Sequence, residues 1–135
     1  MAWKIFQWGG GRTKIDIKKA ELLDLARKSL ESGLKIYRES KGRIYMDPEY
    51  YSQFLKFLGD AKKLLDQYGD ADFISEINRI LSEIQRLIDM VQEHQRGIHP
   101  LKGDEFKLSF EKKAENILTD IKKLLTSITQ TIHGL

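Results

Sequence analysis

Apolar side chains recur every three or four residues along most of this chain, and glycines interrupt the recurrence. That spacing places the apolar positions on one face of an α-helix. The pattern predicts four helices: the first over about residues 14–38, the second from Asp47 to a stop at Gly69, the third from Asp70 or Asp72 to Gly97, and the fourth from a start between Asp104 and Ser109 to Gly134.

Local chemistry supports several of these helix ends. Residues 13–16 read Thr-Lys-Ile-Asp, which has the form of a capping box at the start of the first helix. Asp47 followed by Pro48 fits an N-cap and a first helical position. Gly69 is a natural C-terminal stop, and Gly33 is a weak point inside the first helix.

The four apolar stripes predict one shared core, because a lone helix cannot bury such a face. Short connections favour antiparallel neighbours. We therefore expect an all-α fold, an antiparallel up-down-up-down four-helix bundle over residues 14–135, preceded by an extended N-terminal arm, residues 1–13. The predicted core positions are Leu23, Ala26, Leu30, Leu34, Tyr37, Tyr51, Phe54, Leu58, Ala61, Leu65, Tyr68, Ile77, Ile80, Ile84, Leu87, Val91, Phe110, Ala114, Ile117, Ile121, Leu124 and Ile128.

Positive charge is concentrated at the start of the chain. The net charge is +3, but residues 1–19 carry five cations against Asp16, which is +4, and the remainder is −1. Such basic segments meet nucleic acid, anionic lipid or an acidic protein surface. Lys4, Arg12 and Lys14 are the candidate anion-binding residues of this region.

Both tryptophans of the chain lie in the N-terminal arm. Trp3 and Trp8, with Phe6, are candidate partner contacts. Three functional interpretations stay open: stacking on nucleic acid, insertion at a membrane interface, and anchoring in a groove of another subunit. A fourth is that the arm folds back and caps its own core.

The predicted topology also brings cations together at one end of the bundle. The connections between helices one and two and between helices three and four share this end, the far pole (residues 38–47 and 94–104). Its candidate anion-binding residues are Arg38, Lys41, Arg43, Arg96 and Lys102, with His94 and His99 nearby. The opposite end, the near pole, holds the loop 66–72, the root of the N-terminal arm and the end of the fourth helix.

Several kinds of chemistry have no matching residues. There is no cysteine, which excludes disulfides and thiolate sites. The three histidines include no helical pair four residues apart and no Glu-x-x-His, so neither a zinc nor a di-iron site is expected. Residues 9–12, Gly-Gly-Gly-Arg, do not form a phosphate-binding loop and are interpreted as a hinge. We expect no catalytic residue, metal or cofactor.

One short string resembles a known family. His99-Pro100-Leu101-Lys102-Gly103 is similar to the His-x-Leu-Lys-Gly core of histidine phosphotransfer domains, which are four-helix bundles. The resemblance implies a phosphoryl group carried by His99, with Lys102 beside it. Pro100 disfavours helix at the residue before it, and Asp104 and Glu105 stand where that family has small residues.

The sequence therefore favours a non-enzymatic structural or interaction protein. We expect it to self-assemble or bind a protein partner through the N-terminal arm, with nucleic-acid coating as a specific form. The alternatives are a phosphotransfer module using His99 and a membrane-surface or inhibitory adaptor, although a membrane surface is the less favoured partner. No apolar run is long enough to span a bilayer. Cysteine-free composition fits a cytoplasmic location or an intracellularly assembled particle, and abundant lysine, glutamate and isoleucine are typical of a thermophile.

Overall fold

A computed structural model describes the backbone of residues 14–40 and 47–135, and the side chains of that part except residues 14–16 and 48. The described chain forms four α-helices: α1 Lys14–Glu39, α2 Pro48–Tyr68, α3 Ala71–Gln95 and α4 Gly103–Gly134. The all-α prediction is confirmed, and three helix starts agree with it within a residue or two. Only α4 begins slightly earlier than predicted.

The helix ends follow the predicted chemistry where they are described. The Asp47 carboxylate accepts a 3.0 Å hydrogen bond from the backbone N–H of Glu49, and Asp70 accepts one of 3.0 Å from Phe73. Gly69 has φ +88° and its N–H bonds to the carbonyl of Leu65, a left-handed stop that glycine adopts without strain. The predicted capping box at residues 13–16 lies outside the described side chains.

Neighbouring helices run antiparallel around the bundle. α1 packs against α2 and α4, and α3 packs against α2 and α4, while in the described residues the Cα atoms of the diagonal pairs stay more than 8 Å apart. The Tyr37 hydroxyl, near the end of α1, donates a buried 2.8 Å hydrogen bond to the Ala114 carbonyl in the first half of α4. The Lys19 ammonium, near the start of α1, lies 5.8 Å from the ring centre of Tyr68, at the end of α2. The up-down-up-down prediction is confirmed.

The core is the set of residues that the stripes predict. All predicted positions are buried except Tyr51 and Tyr68, which are half-buried. Ile36 and Ile88, which flank the predicted stripes, are buried as well, and so are three side chains that the stripes did not include: Phe73, Met90 and Phe106. Phe73 and Phe106 lie in the first turns of α3 and α4, ahead of the regular part of each stripe, and a stripe is hard to recognise before its period is established.

Gly33 lies where α1 packs against α2, the most extensive helix contact of the bundle. A Cβ added at Gly33 would lie 3.7 Å from Phe54 Cδ1, 3.7 Å from Phe57 Cβ and 3.8 Å from Leu58 Cδ2. These are ordinary van der Waals separations, so a methyl group fits without displacement.

Replacing Gly33 by alanine is therefore expected to raise the free energy of unfolding by about 0.5–1 kcal/mol, because alanine has the higher helix propensity. Urea denaturation measures the change. Gly33→Leu is the control, since its longer side chain must displace the α2 residues and lower stability by about 1–3 kcal/mol. A loss of stability with alanine would mean that α1 and α2 approach more closely than described.

Candidate functional site

A groove opens between α3 and α4 at the near pole. Its volume is about 380 Å³. Phe73, 7% exposed, and Leu124, 3% exposed, form its apolar floor. The polar side chains that line it are Asp70, Asp72, Glu76, Lys123, Ser127 and Thr131. We name this feature the near-pole groove; it combines an apolar floor with a predominantly acidic rim.

The rim carboxylates have different surroundings. Asp70 caps α3, and Glu76 accepts a 2.8 Å hydrogen bond from the Arg79 guanidinium. Arg79 also donates across to Asp120 on α4 at 3.0 Å, and these two carboxylates raise the pKa of Arg79. Asp72 is exposed in the first turn of α3. With Glu76 paired to Arg79, the aspartates at positions 70 and 72 stand against one lysine at the rim, which favours a cationic ligand segment.

Two more shallow grooves lie along helix seams. Arg79, Glu83, Lys113 and Asp120 line one of about 440 Å³, farther along the α3–α4 seam. The other, also about 440 Å³, lies between α1 and α2, where Leu25 is 50% exposed beside Lys28 and Lys63. The first contains one buried apolar side chain, Ile117, and the second contains the half-buried Leu64 beside Leu25. The near-pole groove differs in having two buried apolar side chains at its floor.

The far pole is mixed in charge. The structure places Arg38, Arg96 and Lys102 at this end, all exposed, whereas Lys41 and Arg43 lie outside the described residues. Arg38 ends α1 and Arg96 ends α3, and these helices are diagonal to each other. Six carboxylates belong to the same helix ends: Glu39, Asp47, Glu49, Glu93, Asp104 and Glu105. The three described cations therefore share one pole without forming a uniformly basic surface in this part of the chain.

Anion binding at the far pole stays a prediction, and we expect it to be weak. DNA or RNA should bind, if at all, only at low salt, because each phosphate contact releases counterions. A gel-retardation series over increasing salt measures this. Arg96→Gln is the test variant and Lys63→Gln, on another face, is the matched control. An absence of retardation at the lowest salt would remove nucleic acid as a far-pole ligand.

An aromatic cluster joins the end of α3 to the start of α4. The His94 ring stacks on Phe106 with centroids 3.8 Å apart, and His99 meets the same ring edge-on at 5.2 Å. His99 Nδ1 lies 3.0 Å from the backbone nitrogen of Leu101 and 3.3 Å from its carbonyl oxygen, so the backbone of the loop holds this ring nitrogen. Exposed Ile98 and Leu108, at 65% and 67%, flank this cluster.

His99 lies in the connection between α3 and α4 and not within a helix. Its Nδ1 contacts the backbone of Leu101 and its ring packs on Phe106. Both contacts hold the loop between α3 and α4 in place. We expect no phosphoryl transfer to His99. Incubation with phosphorylated response regulators, followed by detection of acid-labile phosphate, tests this against a His99→Gln control. Labelling that disappears in the control would establish the phosphotransfer alternative.

The remaining shifted groups belong to helix surfaces. Arg27 donates hydrogen bonds to Asp24 and to Glu31, and with Lys28 it lowers the pKa of Asp24. Burial raises the pKa of Tyr51, with a further contribution from Asp89. Exposed pairs of this kind contribute about 0–1 kcal/mol each. These ion pairs stabilise single helices, and their side chains do not meet at a common cavity.

Neither a metal-ligand cluster nor a membrane-spanning helix is found in the described part of the chain. Within this part of the chain, no three histidine, aspartate or glutamate side chains are grouped closely enough to hold a metal ion. None of its helices is long and apolar enough to cross a membrane. The candidate contacts Trp3, Phe6, Trp8, Lys4 and Arg12 lie outside the described residues, and Lys14 begins α1 with its side chain undescribed.

Comparison with known proteins adds no relative to this picture. No protein-family model matches the chain, and no curated protein or solved structure is similar to it. Function must therefore be argued from the surfaces of the bundle. The sequence predicts that the acidic loop Asp66, Asp70, Asp72 shares a pole with the arm and could pair with Lys4 and Arg12 of a neighbouring subunit. It does not predict the near-pole groove itself, because the groove depends on how the side chains of α3 and α4 pack. The acidic residues at positions 70 and 72 were its only signal in the sequence.

Proposed function

We propose that this chain is a non-enzymatic interaction protein that self-associates through its N-terminal arm. One observation carries the proposal: the near pole, where α1 begins and the arm joins the bundle, also holds the acidic near-pole groove. The arm is basic and contains both tryptophans. Opposite charges and a concave apolar floor at one end of the molecule favour contact between arm and bundle.

The energetics assign different roles to the charges and the aromatic side chains. Exposed ion pairs contribute about 0–1 kcal/mol each. They therefore fix the position of the arm on the bundle more than they add to its binding free energy. Burying an aromatic side chain removes about 150–250 Å² of surface from water, and tryptophan is a frequent anchor at interfaces. We therefore infer that the tryptophans provide most of the binding free energy and that Lys4 and Arg12 orient the arm.

The tryptophans also supply the test. Both lie in the arm, so the intrinsic tryptophan emission of the full chain reports on the arm alone. On dilution, we expect the emission maximum to move to longer wavelength as the mass measured by light scattering falls. Emission that is independent of concentration, together with a mass that stays that of the monomer, would contradict self-association.

Nucleic-acid coating is the specific form of this function that the charge distribution supports. The cations of residues 1–19 lie beside two tryptophans, a combination suited to backbone contacts and base stacking. Salt-sensitive binding of single-stranded nucleic acid that disappears in a Lys4→Gln, Arg12→Gln variant would support it. Undiminished binding by that variant would exclude the arm as the nucleic-acid contact.

A further inference from the structure

We infer that the near-pole groove is the docking site for Trp3 and Lys4 of a second copy of this chain. The inference rests on the proposed function and adds a site, an occupant and a register to it. Two copies that exchange arms would fill both grooves and close a symmetric dimer, the commonest form of homo-oligomer.

The size and floor of the groove fit one aromatic side chain. Its volume of about 380 Å³ is near the lower end of the range of about 300–1,000 Å³ for ligand pockets. Phe73 and Leu124 form the apolar floor, and exposed Ser127 lies beside them on α4. An aromatic anchor in a pocket ringed by polar residues is the usual arrangement of an interface hot spot.

The charges on the rim of the groove favour Trp3 over Trp8 as its occupant. Asp70, Asp72 and Glu76 line the groove with Lys123, and Glu76 is already paired with Arg79. The two aspartates therefore favour an occupant that has a cation beside it. Trp3 is followed directly by Lys4, whereas the nearest cation after Trp8 is Arg12, four residues on. In an extended segment neighbouring residues are about 3.3 Å apart. Side chains of neighbouring residues in such a segment point to opposite faces, so with the Trp3 ring in the groove Lys4 starts on the outer face. Its long, flexible side chain turns back to Asp72, the exposed carboxylate of the rim.

The position of α1 favours the arm of another molecule. α1 packs against α2 and α4, and in the described residues its Cα atoms stay more than 8 Å from those of α3. The groove lies on the side of α4 that faces α3, so α4 stands between the groove and the root of the chain's own arm. An arm from the same molecule must double back around the end of α4, while the arm of a second copy approaches the open side directly.

Filling the groove is the first test, made on the full chain. Ser127→Phe occupies the space above Phe73 and Leu124, and Ser82→Phe, at another exposed serine on α3, is the matched control. We expect Ser127→Phe to raise the dimer dissociation constant at least about ten-fold, as loss of an anchor does, and to shift tryptophan emission to longer wavelength. Ser82→Phe should leave both unchanged.

A charge exchange tests the register. Asp72→Lys and Lys4→Glu should each weaken dimerisation by up to about five-fold, the range of an exposed ion pair, and the double variant should regain the affinity of the original chain. Asp104→Lys reverses another exposed first-turn carboxylate, at the far pole. It shares the effect on the helix dipole and should leave the dissociation constant unchanged.

The outcomes separate this inference from the proposed function. Weaker dimerisation in Ser127→Phe together with rescue by the charge exchange supports the docking site. If self-association requires the arm but is unaffected by Ser127→Phe, the docking site is wrong and the proposed function is retained. A shift of tryptophan emission in Ser127→Phe without any change of mass means that the arm docks on its own bundle, which overturns the second-copy assignment.

Discussion

Replacing Ile84 by alanine is expected to lower the free energy of unfolding by about 2–5 kcal/mol, the range for large-to-small changes in a close-packed core. Ile84 is 1% exposed in the middle of α3. Its side chain belongs to the central cluster to which all four helices contribute, so truncation leaves a cavity that no single helix can close. Chemical denaturation followed by circular dichroism measures the loss.

The neighbouring residue provides the control. Glu83 lies on the polar side of α3, where it accepts a 2.9 Å hydrogen bond from Arg86 in an exposed pair. Glu83→Ala should therefore change the free energy of unfolding by no more than about 0.5 kcal/mol. Equal losses at positions 83 and 84 would mean that α3 presents a different face to the core.

Helix periodicity made most of this fold predictable from the sequence. A stripe such as Ile77, Ile80 and Ile84 is spaced for one helix face, and it is buried as predicted. Asp47 and Asp70 mark helix starts because their carboxylates accept backbone N–H groups that the helix leaves unpaired. These are local features, and a local pattern is enough to recognise them.

Features that depend on tertiary packing were harder to predict from the sequence. The contact of His94 with Phe106 joins the ends of two helices, and the hydrogen bond from Tyr37 to Ala114 spans 77 residues. The near-pole groove depends on the separation of α3 and α4, which side-chain sizes at several contacts set together. The mixed charge of the far pole arises because acidic first turns, such as that of α4, share the pole with the cations.

The N-terminal arm is the second feature whose loss should have a large effect. Deleting residues 1–11 removes both tryptophans and Lys4 but keeps Thr13, the predicted N-cap of α1. The described core consists of side chains from the four helices. We therefore expect the oligomer to dissociate while helix content and melting temperature change little.

A control separates the anchors from the charges. Trp3→Ala with Trp8→Ala, in the chain of full length, should dissociate the oligomer nearly as completely as the deletion. Lys4→Gln with Arg12→Gln should weaken it by less, since exposed pairs contribute about 0–1 kcal/mol each. A greater loss from the charge variant than from the tryptophan variant would reverse the roles that we assign to these side chains.

The most direct test of the proposed function is the solution mass of the full chain and of the chain without residues 1–11, each measured by sedimentation equilibrium beside a thermal melt. We expect the full chain to be a dimer or larger and the shortened chain to be a monomer of about the same melting temperature. A shortened chain that keeps its oligomeric mass, or that melts far below the full chain, would contradict self-association through the arm.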